Sequence, residues 1–92
     1  MNVFQWNNEK NEWLIEHRGV CFEQVVLLLD QGGILDVVEH PNQDEYPGQK
    51  IAIVEIDDYA YLVPYVQSGD EIFLNTIIPS RKAANKYVRI KE

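Results

Sequence analysis

The segment Ile77-Ile78-Pro79-Ser80-Arg81-Lys82-Ala83-Ala84 puts two adjacent cations where an apolar strand pattern gives way to a helix start. The helix macrodipole opposes positive charge in a first turn, so helix stability by itself gives no reason for Arg-Lys there. An anion would give one. Backbone amides at a helix start point at such a ligand, a guanidinium offers a planar fork that matches phosphate, and an ammonium adds a compact charge. The competing reading is a solvated pair on the basic face of a surface helix. Residues 80–92 hold Arg81, Lys82, Lys86, Arg89 and Lys91 against Glu92, a balance of +4. Residues 1–79 hold Lys10, Arg18 and Lys50 against fourteen acids, a balance of −11, and the whole chain carries −7. Such a body repels nucleic acid at long range, so RNA or DNA would have to be engaged locally, by the basic end. The same asymmetry suits an acidic body that binds a basic partner.

Other residue sets point to less. Cys21 follows His17 by four positions, but Gly19 breaks the helix between them and Phe22 adjoins it, so Cys21 reads as a small buried hydrophobe. One cysteine excludes an internal disulfide and a cysteine-rich zinc site. His17 and His40 stand far apart. Asp36, Glu39 and His40 either contribute to an oxygen-rich metal site or end a solvated strand, and the second reading is the simpler. The acid pairs Asp44/Glu45, Asp57/Asp58 and Asp70/Glu71 fall in predicted turns, where Asp bonds nearby backbone. There is no Gly-rich phosphate loop, HExxH or GxSxG, so neither a cofactor nor a metal is expected. Tyr59, Tyr61, Val63 and Tyr65 alternate along one strand and share a face. That face is expected in the core beneath helices, the alternative being an exposed stacking surface for bases.

The elements that must hold these residues follow from periodicity. Ninety-two residues, 46% of them hydrophobic, make one domain. No apolar run approaches the roughly 18–20 residues that span a bilayer. The opening Met1-Asn2-Val3-Phe4-Gln5-Trp6 lacks the basic and apolar regions of a signal peptide, so a cytoplasmic protein without membrane contact is expected. A short strand over residues 3–6 leads to Asn7 or Asn8 as a cap, then a helix over 8–18 with Trp13, Leu14 and His17 near one face, ended by Gly19. A second helix runs from Phe22 to Gln31, with Phe22, Val25, Val26, Leu28 and Leu29 at the spacing of a buried stripe, and Gly32-Gly33 stops it. Strands follow at 34–39, 50–56, 59–66 and 72–78, with a tight turn at Asp57-Asp58 and another at residues 67–70. Pro64 cannot donate to a ladder and implies an edge or a bulge. Ser80 caps a last helix from Arg81 to about Arg89. The order β-α-α-β-β-β-β-α predicts an α+β domain: a short N-terminal strand, two helices, a four-stranded antiparallel meander and a C-terminal helix, with the helices on one face of the sheet.

Three stretches resemble the BrnT family of toxins from bacterial type II toxin–antitoxin systems, small relatives of the RelE-like ribonucleases. Phe4-Gln5-Trp6-Asn7-Asn8-Glu9-Lys10-Asn11 is similar to the family's F-x-W-D-x-x-K-x, Arg18-Gly19-Val20-Cys21-Phe22-Glu23 to its H-G-V-S-F-E, and Ile77-Ile78-Pro79-Ser80-Arg81-Lys82-Ala83 to its I-I-S-A-R-K-A. The resemblance covers nearly the whole chain as one domain, residues 1–92, and implies the fold derived above. It further implies a cytoplasmic toxin that cuts RNA and is neutralised by a cognate DNA-binding antitoxin, with homo- or hetero-oligomers left open. In such enzymes the 2′-hydroxyl attacks the adjacent phosphate and basic side chains stabilise the developing charge. Arg81 and Lys82 would contact the phosphate, Lys50 and Arg18 would assist, and His17 or a tyrosine would transfer protons. A second reading is a non-catalytic acidic module of the same fold that binds a basic protein.

Overall fold

The computed structural model describes residues 2–88. The chain runs β1 (Val3–Gln5), α1 (Asn8–Arg18), α2 (Phe22–Asp30), β2 (Ile34–Glu39), β3 (Lys50–Ile56), β4 (Tyr59–Ser68), β5 (Glu71–Leu74), β6 (Ile78–Pro79) and α3 (Arg81–Ala83), which continues as a π-helical turn over Ala84–Val88. Arg89, the expected end of that helix, lies outside the described residues.

Local chemistry accounts for most boundaries. Asn7 is extended, and its side chain accepts the Lys10 amide at 3.0 Å, satisfying a donor that the first turn of α1 would otherwise leave unpaired. Gly19 ends α1 in the left-handed conformation at φ 68, its N–H returning to the Ile15 carbonyl. The start of α2 is capped from α1: the Asn11 side-chain oxygen accepts the Phe22 amide at 2.8 Å, and the Asn11 amide donates to Glu23 at 2.8 Å. Gln24 reaches back to the Cys21 amide at 3.0 Å. Asp57 and Asp58 both take positive φ, 52 and 63, as a two-residue hairpin turn matched to strand twist demands. Aspartate tolerates this region better than most side chains because it bonds locally.

The strands form one mixed sheet in the order β1-β5-β4-β3-β2, with β6 pairing β4 beyond the end of β5. The expected antiparallel meander β2-β3-β4-β5 is present, and β1 adds to it in parallel, Phe4 lying opposite Ile72. Residues 75–77 interrupt the ladder between β5 and β6, so the strand expected over 72–78 is split. Tyr65 opposes Leu74 and Leu62 opposes Ile78, which leaves one extra residue on the β5–β6 side: a bulge. Pro64 faces that bulge. Its carbonyl accepts the Asn75 amide at 2.9 Å, and the N–H it lacks would have pointed the same way. A proline is thus tolerated in a central strand, because the ladder is already irregular where its donor is missing.

The helices do not share one face, contrary to expectation. Leu14, Val20, Phe22 and Val25 from the α1–α2 layer bury against Ala52, Val54, Ile56, Val63, Ile72, Leu74 and Ile77. Ala83 and Ala84 bury against Ile53 and Ala60, with Leu35, Leu62 and Tyr87 around them, on the opposite face. Strand alternation is the reason: Ile53 and Leu62 pair with each other and point away from the side that Ala52, Val54 and Val63 cover. Fully burying a Leu, Ile or Phe contributes about 1.5–3 kcal/mol, so a second apolar face is worth covering. The alanines let the helix backbone approach the sheet closely. Tyr61 and Tyr65 join the core under α1 and α2, whereas Tyr59 packs with the second cluster.

Candidate functional site

The strand-to-helix junction is held at both ends. The Ser80 amide donates to the Ala60 carbonyl at 3.0 Å, locking the turn to β4, and its hydroxyl accepts the Ala83 amide at 3.1 Å. Arg81 and Lys82 project from this capped turn, and both are exposed. Among the described residues neither side chain has a hydrogen-bond or ion-pair partner. At the far end of the helical segment the Tyr87 hydroxyl donates to Asp36 at 2.7 Å, tying the segment to β2. That bond, then the Val37 amide, holds the Asp36 carboxyl below its ordinary pKa. Lys86 lies over the Tyr87 ring at 5.1 Å.

Arg18 approaches the junction from the other side of the sheet. Its guanidinium donates to the Ile77 carbonyl at 2.5 Å, in the bulge three residues before Ser80, and the side chain of Ile77 is fully buried. The bulge turns a carbonyl out of the ladder and Arg18 satisfies it, so this cation is engaged structurally. Arg18 also lies 5.0 Å from the Trp13 ring, which Lys10 approaches at 4.4 Å and His17 stacks on at 4.5 Å. His17 is exposed, with Nδ1 at 3.0 Å from the Trp13 carbonyl, leaving Nε2 toward solvent. Trp13, Leu14 and His17 thus do not share a face of α1 as expected: Leu14 is buried, while Trp13 and His17 form an outward aromatic stack.

Lys50 stands apart. It begins β3 opposite Glu39 and Tyr65, exposed on the α1–α2 face. Along β4, Tyr65 is five residues from Ala60, where Ser80 docks, so Lys50 is separated from the junction by about 16 Å in the strand direction alone, at roughly 3.3 Å per residue. The structure therefore brings Arg18 toward the Arg81–Lys82 turn and leaves Lys50 and His17 at separate places. Near Lys50, a cleft of about 140 Å³ is lined by Phe4, Leu29, Val37, Ala52, Tyr65 and Ile72 among others, and burial pushes the Tyr65 phenol above its ordinary pKa. Asp36 and Glu39 fall on opposite faces by register, and the His40 ring nitrogen accepts the Asn42 amide. Among the described residues no three His, Cys, Asp or Glu side chains gather as metal ligands would.

Sequence reasoning missed two things. Asn11 is the buried polar residue of the described chain, 7% exposed, and its role as a cap for α2 is invisible without the fold. Its one sequence signal is a polar side chain three residues before Leu14, on the inward side of α1. The Trp13 cluster was legible in principle, because Lys10 and His17 flank Trp13 at helical neighbour spacing. No protein-family model matches the chain, and no curated protein or solved structure matches it. Among the described residues, no helix is long and apolar enough to cross a membrane.

Proposed function

We propose that this chain is a BrnT-like toxin of the cytoplasm that contacts RNA phosphate through Arg81 and Lys82, cleaves it, and is neutralised by a cognate antitoxin. The observation that carries the reading is the pair of exposed cations on a rigidly capped turn, with no partner among the described residues. A cation held on a fixed backbone and not already engaged is what transition-state charge on a phosphate requires. In the reaction the 2′-oxygen bonds to phosphorus, the bond from phosphorus to the 5′-oxygen breaks, a base takes the 2′ proton and an acid protonates the leaving oxygen. Arg81 and Lys82 serve the equatorial oxygens, and the outward Nε2 of His17 is a proton carrier only for an RNA that wraps around the domain. Lys50, exposed on the other face of the sheet, does not reach that phosphate.

A second reading is favoured by one observation: Arg18 is engaged with the Ile77 carbonyl. On that reading the fold is kept as a non-catalytic module and the acidic body binds a basic protein. The test is RNA cleavage by the purified chain beside an Arg81→Ala/Lys82→Ala double variant of equal thermal stability, with and without ribosomes. Cleavage that vanishes in the variant supports the toxin reading. Equal cleavage by both removes Arg81 and Lys82 from the site, and no cleavage by either leaves the module.

A further inference from the structure

Among the described residues, the sheet face that carries the C-terminal helical segment is only partly covered. Register places Val38, half-buried Ile51 and buried Pro64 in one row across β2, β3 and β4, and Val66 opposite Phe73 in the next row, so the exposed apolar groups are Val38 at one end and Val66 with Phe73 at the other. Strand alternation puts both rows on the same side as Ile53 and Leu62, beside the helix. Val38, Val66 and Phe73 are 40%, 37% and 40% exposed. Apolar groups gathered in this way on one flat surface mark an interaction site more often than a random surface. Between the strip and the helix runs a groove of about 290 Å³, lined by Val38, Ile53, Leu62, Lys82, Lys86 and Tyr87.

We infer that this strip and groove receive an acidic amphipathic helix from a partner protein. Charge complementarity selects the occupant. Lys82 and Lys86 line the groove and exposed Arg81 precedes them on the same helical segment, while of the acids that share this face Asp36 is engaged by the Tyr87 hydroxyl and the Val37 amide and Glu55, opposite Ala60, does not line the groove. Glu71 lies at the other end, one row beyond Phe73 on the same face, so the partner's carboxylates belong at the lysine end. Dimensions suit a helix. The strip crosses β2 to β5, three strand spacings of about 4.8 Å, or roughly 14 Å; a helix covers that in about ten residues. The opposite face carries two helices, whereas among the described residues this one carries a single helical segment, over residues 81–88. Leucines at helical spacing would fill the rows and glutamates would meet the lysines, the groove mode of helix recognition. Such a helix covers Lys82, so on the RNA reading it also blocks phosphate, but binding itself needs no RNA.

Two designed 16-residue helical peptides test this, both with leucines at i, i+3, i+4, i+7 and i+11, one otherwise rich in glutamate and one in lysine. Binding to the full chain is measured by fluorescence titration and located by NMR shifts, without RNA. The glutamate peptide is expected to shift Val38, Val66, Phe73 and Lys82, to bind more weakly as salt rises, and to lose at least tenfold in affinity in Lys82→Glu/Lys86→Glu. Val66→Ser/Phe73→Ser, whose native side chains are already part exposed, serves as a second variant and is expected to lose as much. Equal or tighter binding of the lysine peptide, shifts confined to α1 and α2, or no binding of either peptide at millimolar concentration overturns the inference. So does a wild-type dimer in sedimentation that Val66→Ser/Phe73→Ser dissociates, since the occupant would then be a second copy. RNA cleavage is scored separately, so the two readings fail independently.

Discussion

Asn11→Ala should be among the costlier single changes in this domain, although Asn11 touches no candidate functional residue. The Asn11 side chain is 7% exposed and Phe22 is fully buried, so truncation leaves the Phe22 amide without a partner and without water to replace it. An orphaned buried donor costs about 1–3 kcal/mol, a range that already contains the loss of a helix cap. Taking the middle, about 2 kcal/mol, and about 4–8 °C per kcal/mol for a domain of this size, the melting temperature should fall by roughly 8–16 °C. A pH signature separates this mechanism from simple loss of volume. The Asn11 amide is the foremost cause holding the Glu23 carboxyl below its ordinary pKa. A depressed folded pKa contributes stability that is fully present above the unfolded value, near 4.3, and is lost as pH falls through the folded value. The gap between wild type and Asn11→Ala should therefore narrow as pH drops from about 5 towards 3 and keep a residue from the Phe22 amide. Asn11→Asp keeps the acceptor for Phe22 but sets a second carboxylate against Glu23, so its deficit should shrink on acidification as one carboxyl takes a proton. Urea denaturation of the three proteins across that pH range is the assay. An Asn11→Ala deficit under about 0.5 kcal/mol at pH 7, or one that grows as pH falls, would refute the capping argument.

Arg18→Met removes both the donor to Ile77 and the guanidinium that lies over the Trp13 ring, and should cost about 1.5–3 kcal/mol, the range for a hydrogen bond to a charged group. If Arg18 is purely structural, residual cleavage per folded molecule in Arg18→Met should match wild type; a loss of tenfold or more in equally folded protein would return Arg18 to the chemistry. Asp58→Gly removes a non-glycine residue at φ 63 and one of two adjacent like charges, and should raise stability by about 0.5–1 kcal/mol, read as a higher urea midpoint. An unchanged or lower midpoint would mean that Asp58 is better satisfied than its backbone conformation implies.

The sequence by itself determined the elements and their punctuation. Asn7 as a cap, Gly19 as a stop, the Phe22–Leu29 stripe, the Asp57-Asp58 hairpin and Ser80 at the last helix all act within one turn of the residue that signals them, through hydrogen bonding capacity, permitted φ and side-chain period. Pro64 was legible to the same degree: a missing donor demands an irregular ladder, and one is there. The candidate site was legible only as a pair of residues, Arg81 and Lys82, whose oddity is local. Tertiary structure decided the rest, because each remaining feature joins residues that no local rule connects. Arg18 and Ile77 are 59 positions apart, and their bond exists only because α1 lies over the bulge. Asn11 caps a helix other than its own. The last helix takes the face opposite α1 and α2 because strand pairing gives the sheet two apolar sides, and a sequence period of two states that sides alternate without stating which helix covers which.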